Sequence, residues 1–509
     1  MFPAARLMEL LPTCTGALYI AALTVLVATM LAALLRFPKY CVQKSPPGPR
    51  SWPLLGSLNF STARIDPREA LKWAKKYGSI VGLKKGSVDV VILSDYEEIK
   101  EYFSMPELQF RPTTWGLHAA EKGLTVFNGE EWKQNRDFSM RALAKLGLGS
   151  TAMRQHIGEE ACHLADTLGS RRGSPVAALA YIQRAFLNCM CRYLLGYRYD
   201  LEDPRRKALD DALSGFRLQA AAAPAEHRAA WLRRAIIDRL CPTSTSASRR
   251  RLLTALHTVA RLLVAANNEF KPGERQNSYI DIYTERMREA AKENNPYFRA
   301  DALIGNIVDL LTGAATSGPL YMHWTLLNIA ARTDTLQAEL HQEIDSVVGF
   351  DRSPKWEDHT RMPLTMATIW EMFRWKVAAP FNIPRGTGED TKFGEYQVRK
   401  GTMVFPNLLA VHRDPKLWTN PDKFDPSRFL KPDGTAQTTR PEGLLNFSVG
   451  RRMCPGEGMA MVEMFLVLTT LLHRFRILPE EGQTINIPPL GPSLELAETK
   501  LRFIPRNRN

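Results

Sequence analysis

The chain has 509 residues, 45% of them hydrophobic, and a formal net charge of +14. It is long and apolar enough to bury a sizeable core. The charge asks for an acidic partner or an anionic surface, but no nucleic-acid motif and no arginine-rich tail comes with it, so nucleic acid is set aside. The seven cysteines are scattered, with no zinc-site spacing. An odd, sparse set fits a reducing compartment.

From Leu10 to Leu35 no residue is charged. That run exceeds the roughly 20 residues needed to cross a bilayer. Arg36, Lys39, Lys44 and Arg50 follow it, so the positive-inside rule leaves the remainder in the cytosol. Residues 1–36 are therefore expected to be a membrane anchor. Residues 37–56, basic and rich in proline, read as a hinge, because proline stiffens a linker. Residues 57–509 are expected to form the main domain. Its first part mixes a helical pattern, Pro67 to Tyr77, with strands over Ile80 to Leu83 and Val88 to Leu93.

Trp132 and Arg136 are four residues apart and share a helix face. Lys133, Arg141 and Lys145 make a basic face beside them. Ala229 to Leu240 is amphipathic and reads either as a helix packed on the core or as one lying in a membrane interface. Ile304 to Leu327 is one long helical pattern carrying Gly313-Ala-Ala-Thr316-Ser317. Pro319 inside it removes a backbone hydrogen bond and predicts a kink. Glu371 and Arg374 sit three apart on an apolar helix, Leu364 to Trp375. His412 reads as structural, since a lone histidine is more often hydrogen-bonded than liganding.

The stretch Phe447 to Gly456 holds Cys454 behind Arg451 and Arg452, just before a long apolar helical pattern. Nearby cations and a helix N-terminus favour a thiolate. Gly450 and Gly456 are expected to adopt backbone conformations closed to other residues. On these grounds alone Cys454 could ligate a metal, act as a nucleophile, or be buried.

Phe447, Gly450, Arg452, Cys454 and Gly456 together resemble the haem-ligand loop of the cytochrome P450 family. The resemblance implies haem b, with Cys454 as the axial thiolate and so the metal ligand. It implies Arg452 at a propionate and Phe447 beside the sulfur. It places Trp132, Arg136 and Arg385 on the propionates as well. Glu371, Arg374 and Arg428, the last within Phe424-Asp-Pro-Ser-Arg428-Phe429, would form a buried ion network. Ala379, Phe381, Asn382 and Ile383 would face the substrate. The implied fold is mainly α with a small β region, behind a single transmembrane helix.

One departure stands out. The family's central helix reads Ala/Gly-Gly-x-Asp/Glu-Thr. Here Thr316 replaces the acid, and Ser317 keeps the hydroxyl of the threonine. These two are the catalytic candidates for proton relay. The resemblance implies an enzyme of the endoplasmic-reticulum membrane that inserts one atom of dioxygen into an apolar small molecule (steroid, fatty acid or xenobiotic). Electrons would come from NADPH through a flavoprotein reductase docked on the basic face, with cytochrome b5 as a second donor. Because the carboxylate is missing, a haem-thiolate isomerase or dehydratase of oxygenated lipids stays open. So does a non-catalytic haem or lipid binder.

Overall fold

A computed structural model describes residues 44–52, 56–57, 65–85, 88–112, 122–200, 203, 206–213, 245–269, 276–437, 439–488 and 498–506, with isolated positions between 22 and 28. The first helix, α1 (Pro67–Tyr77), shows why local sequence decides an element. Asp66 caps it by accepting from the Arg68 amide at 2.8 Å, and Pro67 supplies the preset first turn. It buries Ala70 and Trp73 on one face of a sheet.

That sheet has the order β1-β2-β3-β4-β8-β5. The strands are β1 (Ser51–Trp52), β2 (Gly56–Ser57), β3 (Ile80–Lys85), β4 (Val88–Leu93), β5 (Arg385–Gly386) and β8 (Met403–Pro406). β3 and β4 form an antiparallel pair, and β4 runs parallel to β8 with Val91 opposite Val404. Alternation along β4 sends Val90 and Ile92 toward α1, and Val91 and Leu93 toward α2 (Tyr96–Tyr102). Two small pairs complete the β region: β6 (Thr391–Phe393) with β7 (Tyr396–Val398), and β9 (Phe475–Pro479) with β10 (Leu501–Pro505).

The rest is helical. In order come α3 (Gly129–Lys145), α4 (Thr151–Gly169), α5 (Ala178–Leu195), α6 (Thr245–Glu269), α7 (Tyr279–Lys292), α8 (Ala300–Ala330), α9 (Leu336–Val348), α10 (Pro363–Trp375), α11 (Leu408–Val411) and α12 (Glu457–Arg474). The main core gathers the inner faces of α4, α5, α8, α10 and α12. α8 is its axle. A Cβ at Gly318 would sit 3.0 Å from the Phe186 ring, so the glycine lets α5 and α8 approach. α8 runs as one helix from Ala300 to Ala330 with Pro319 inside it. α7 is tied across it by polar bonds: Tyr279 shares a hydroxyl bond of 2.7 Å with Ser139 and accepts from Asn306, and Tyr283 donates to Asn135 at 2.6 Å. These bonds set the height of α3, which carries Trp132 and Arg136.

Part of the segment expected to be a hinge is bonded to the β region. Gly82 donates to the Pro47 carbonyl at 2.8 Å, Gln397 donates to the Lys44 carbonyl at 2.9 Å, and Lys44 pairs with Glu395. Gly48 lies flat on Gly82, where a Cβ would collide with the carbonyl. Lys44 to Gly48 thus pack on the β region. Ala229 to Leu240 lies outside the described residues, as does nearly all of Leu10 to Leu35. Among the described residues no helix is long and apolar enough to cross a membrane.

Candidate active site

The Cys454 loop is built from reversals. Ser448 takes φ 61° and Gly450 φ 71°, both left-handed. The Ser448 amide donates to Leu445 at 2.8 Å, Met453 to Gly450 at 3.0 Å, and Cys454 to Phe447 at 2.8 Å. A Cβ on Gly450 would strike the Phe103 carbonyl, so this glycine is required. Gly456 is not: its φ is −92°, and a Cβ there would meet only the Cys454 sulfur at 3.8 Å. The sequence expectation holds for the first glycine and fails for the second. α12 begins at Glu457, with Gly456 as its cap.

The Cys454 side chain is accessible, yet protein surrounds it closely. Burial raises its thiol above the usual value, against the pull of the Gly456 amide, Arg136 and Arg440. Metal binding requires the deprotonated sulfur, so a bound iron would hold Cys454 as the thiolate.

Around the loop converge four arginines with almost no anions among them. Arg452 stacks on Trp132 at 3.9 Å and donates to the carbonyls of Gln109, Leu124 and Phe127. Arg136 donates to the Met453 carbonyl at 2.9 Å. Arg385, on β5, donates to the Val449 carbonyl at 3.0 Å and lies over Phe103. Its Nε and Nη1 are buried without a partner, as is Trp132 Nε1. Arg111, which nothing in the sequence singled out, donates to Ile383 and Pro384 at 3.0 and 2.7 Å. Burial first, then repulsion from Arg111 and Arg136, pulls Arg385 down to about 8. Burial and then Arg111, Arg385 and Arg136 do the same to Arg452. Buried like charges with orphaned donors need anions. A flat group carrying two carboxylates beside the sulfur satisfies that need, so the residues present fit a haem.

Below the loop lies the ion network. Glu371 and Arg374 are fully buried and paired twice at 2.7 Å. Arg428 Nε stands 3.1 Å from Glu371 Oε2, an ion pair rather than an aligned hydrogen bond. Arg374 also holds the carbonyls of His412 and Pro421. His412 is neutral and structural: its Nε2 accepts from the Leu445 amide at 3.1 Å, and burial pushes it down to about 3. An unfolded chain takes a proton there near 6.5, the folded chain only near 3. The contribution of His412 to stability is thus complete above pH 6.5 and is lost as pH falls toward about 3. In urea titrations across that window, His412→Gln should flatten the pH dependence by about 1.4 kcal/mol per pH unit. His341, pushed to about 4 by burial, keeps a residual slope. Unchanged slopes would contradict this assignment.

α8 is buried at both ends, but its middle is open. Gly313 and Ser317 are exposed, and Ala314 and Thr316 half-buried. The Thr316 hydroxyl turns back to donate to the Thr312 carbonyl at 2.7 Å, while Ser317 faces the accessible side. Of the four residues expected to face substrate, Ala379 and Ile383 are exposed. Phe381 and Asn382 are half-buried: Phe381 packs edge-on against Phe405, and Asn382, at φ 45°, donates to the Leu445 carbonyl.

The family model described as Cytochrome P450 matches residues 46–504. The chain belongs to the cytochrome P450 family. It is similar to Cytochrome P450 2H2 of Gallus gallus, 30% identical over 478 residues that cover 91% of this chain and 94% of the relative. It is equally similar to Cytochrome P450 2J3 of Rattus norvegicus, 30% identical over 475 residues covering 91% of each chain. Cytochrome P450 2J2 of Homo sapiens is 29% identical over 468 residues, again 91% of each. As a cytochrome P450 the protein is a monooxygenase, an oxidoreductase that carries haem on a cysteine thiolate. What sequence reading missed in this cytochrome P450 is Arg111. Two of its three carbonyl partners lie 272 and 273 residues away, so no local pattern could mark it.

Proposed function

We propose that Cys454 is the axial thiolate and that the enzyme oxygenates an apolar small molecule at the endoplasmic-reticulum membrane. Residues 1–36 would anchor it once, with the catalytic domain in the cytosol. The observation that carries this reading is the largely buried arginine cluster, with few anions among it, beside an accessible Cys454. A thiolate-ligated haem supplies O–O bond cleavage and the redox chemistry. The chain does the rest. Arg452, Arg136, Arg385 and Trp132, joined by Arg111, hold the propionates. Phe447, packed edge-on against Phe373 at 5.5 Å, keeps water from the sulfur.

Ser317 passes protons from its accessible position on α8. Thr316, whose hydroxyl hydrogen is engaged by Thr312, takes no direct part. Lys133, Arg141 and Lys145 are all exposed on α3 and offer a cationic face to an acidic flavoprotein reductase fed by NADPH, and to cytochrome b5. Purified protein with reductase, NADPH and a panel of apolar compounds should form oxygenated product only when reductant is present. Products formed equally well without NADPH would overturn the reading. Ser317→Ala should lower the rate of product formation by about a hundredfold, the low end for a lost proton-transfer group. Thr316→Ala should change it little. The reverse ranking would reassign the relay.

A further inference from the structure

Asn446, one residue before Phe447, is held from two sides. Its Nδ2 donates to the Tyr321 hydroxyl at 2.8 Å and to the Phe373 carbonyl at 2.9 Å. The Tyr321 hydroxyl also accepts the Ala378 amide at 3.1 Å. Tyr321 lies on α8, one turn beyond Ser317, and is 6% exposed. Its ring packs edge-on against Trp324 at 5.5 Å and Phe373 at 4.7 Å, and Phe373 packs edge-on against Phe447. Burial pushes the phenol up to about 12, so it stays protonated at working pH. The carbonyl of Phe447 in turn receives the Cys454 amide at 2.8 Å. One hydroxyl and one amide thus join α8, the end of α10 and the loop that carries the sulfur.

The loop needs such a tether. It begins with Ser448 at φ 61°, a left-handed conformation that a serine adopts only under restraint, and continues to Gly450 at φ 71°. Asn446-Phe-Ser448 also matches a glycan-acceptor pattern. Its amide nitrogen, facing two acceptors inside the fold, is committed elsewhere.

We propose that Tyr321 and Asn446 are positioning residues that fix the seat of the Cys454 sulfur by clamping its loop to the central helix. The inference rests on Cys454 being the axial ligand. Neither residue touches the reacting atoms. They act through Phe447, whose carbonyl holds the cysteine backbone and whose ring shields it. Without the Tyr321 hydroxyl the Ala378 amide is left unpaired, Asn446 keeps a single acceptor, and the ring packing is retained.

The test uses the full-length haem protein, reduced and under carbon monoxide. The readout is the rate at which the thiolate-ligated band converts to the thiol-ligated form, at a temperature where far-UV circular dichroism stays native. Tyr321→Phe should convert about tenfold faster, the size of one net buried hydrogen bond. Hydrogen exchange at the Ser448 and Cys454 amides should rise with it. Asn446→Ala should act alike, and the double variant should be no worse than the worse single one, because both remove one connection. Wild-type rates in Tyr321→Phe, or effects that multiply in the double variant, would overturn the clamp. A wild-type protein without the thiolate band would overturn the assignment of Cys454, and this inference with it.

Discussion

Glu371→Gln is expected to cut haem per polypeptide by tenfold or more. The carboxylate is fully buried, and both oxygens are engaged. One accepts from Arg374 at 2.7 Å and from the Asp425 amide at 2.8 Å. The other accepts from Arg374 at 2.7 Å and pairs with Arg428 at 3.1 Å. An amide offers one acceptor and turns donors toward donors. Arg374 would keep its charge with nothing to balance it, a cost of about 3–5 kcal/mol. The damage would travel. Arg374 holds the carbonyl of His412, and His412 holds the amide of Leu445 at the start of the cysteine loop. The assay is the pyridine haemochrome ratio of haem to protein. Normal haem content in the variant would contradict the account.

Gly450→Ala is the second large effect, and its control is one loop turn away. At φ 71° an alanine costs about 1–2 kcal/mol from backbone alone. The added methyl would also meet the Phe103 carbonyl, which is backbone and cannot swing aside. The loop would have to open, so the variant should fail to retain haem. Gly456→Ala has neither problem and should keep haem within about twofold of wild type. Equal loss in both variants would show that the glycines serve some purpose other than conformation. Haem retention during gel filtration separates the outcomes.

What the sequence disclosed depends on how local the cause is. The helix from Pro67 to Tyr77 was readable because its cap and its first proline adjoin it. The spacing of Glu371 and Arg374 was readable because a helix brings such neighbours together without help from the fold. The Cys454 loop carried its own signature. Arg111 was not readable, since it matters only through segments brought to it by folding. The contacts of Phe381 with Phe405 and of Asn382 with the Leu445 carbonyl were unreadable for the same kind of reason. A left-handed residue at Asn382 re-aims the segment, and no pattern of polar and apolar residues encodes that turn. The sequence already set Ser317, which keeps the hydroxyl, apart from Thr316, which replaces the acid. The helix adds that the Thr316 hydroxyl is bonded to its own Thr312 carbonyl.

The most direct measurement is the carbon monoxide difference spectrum of the reduced protein, taken on wild type and on Cys454→Ser side by side. A sulfur anion on the iron gives a red-shifted Soret band that a histidine-ligated or thiol-ligated haem lacks. The account predicts that band in wild type and its complete absence in Cys454→Ser, whatever haem the variant retains. The same band in both proteins would place the ligand elsewhere and contradict the account.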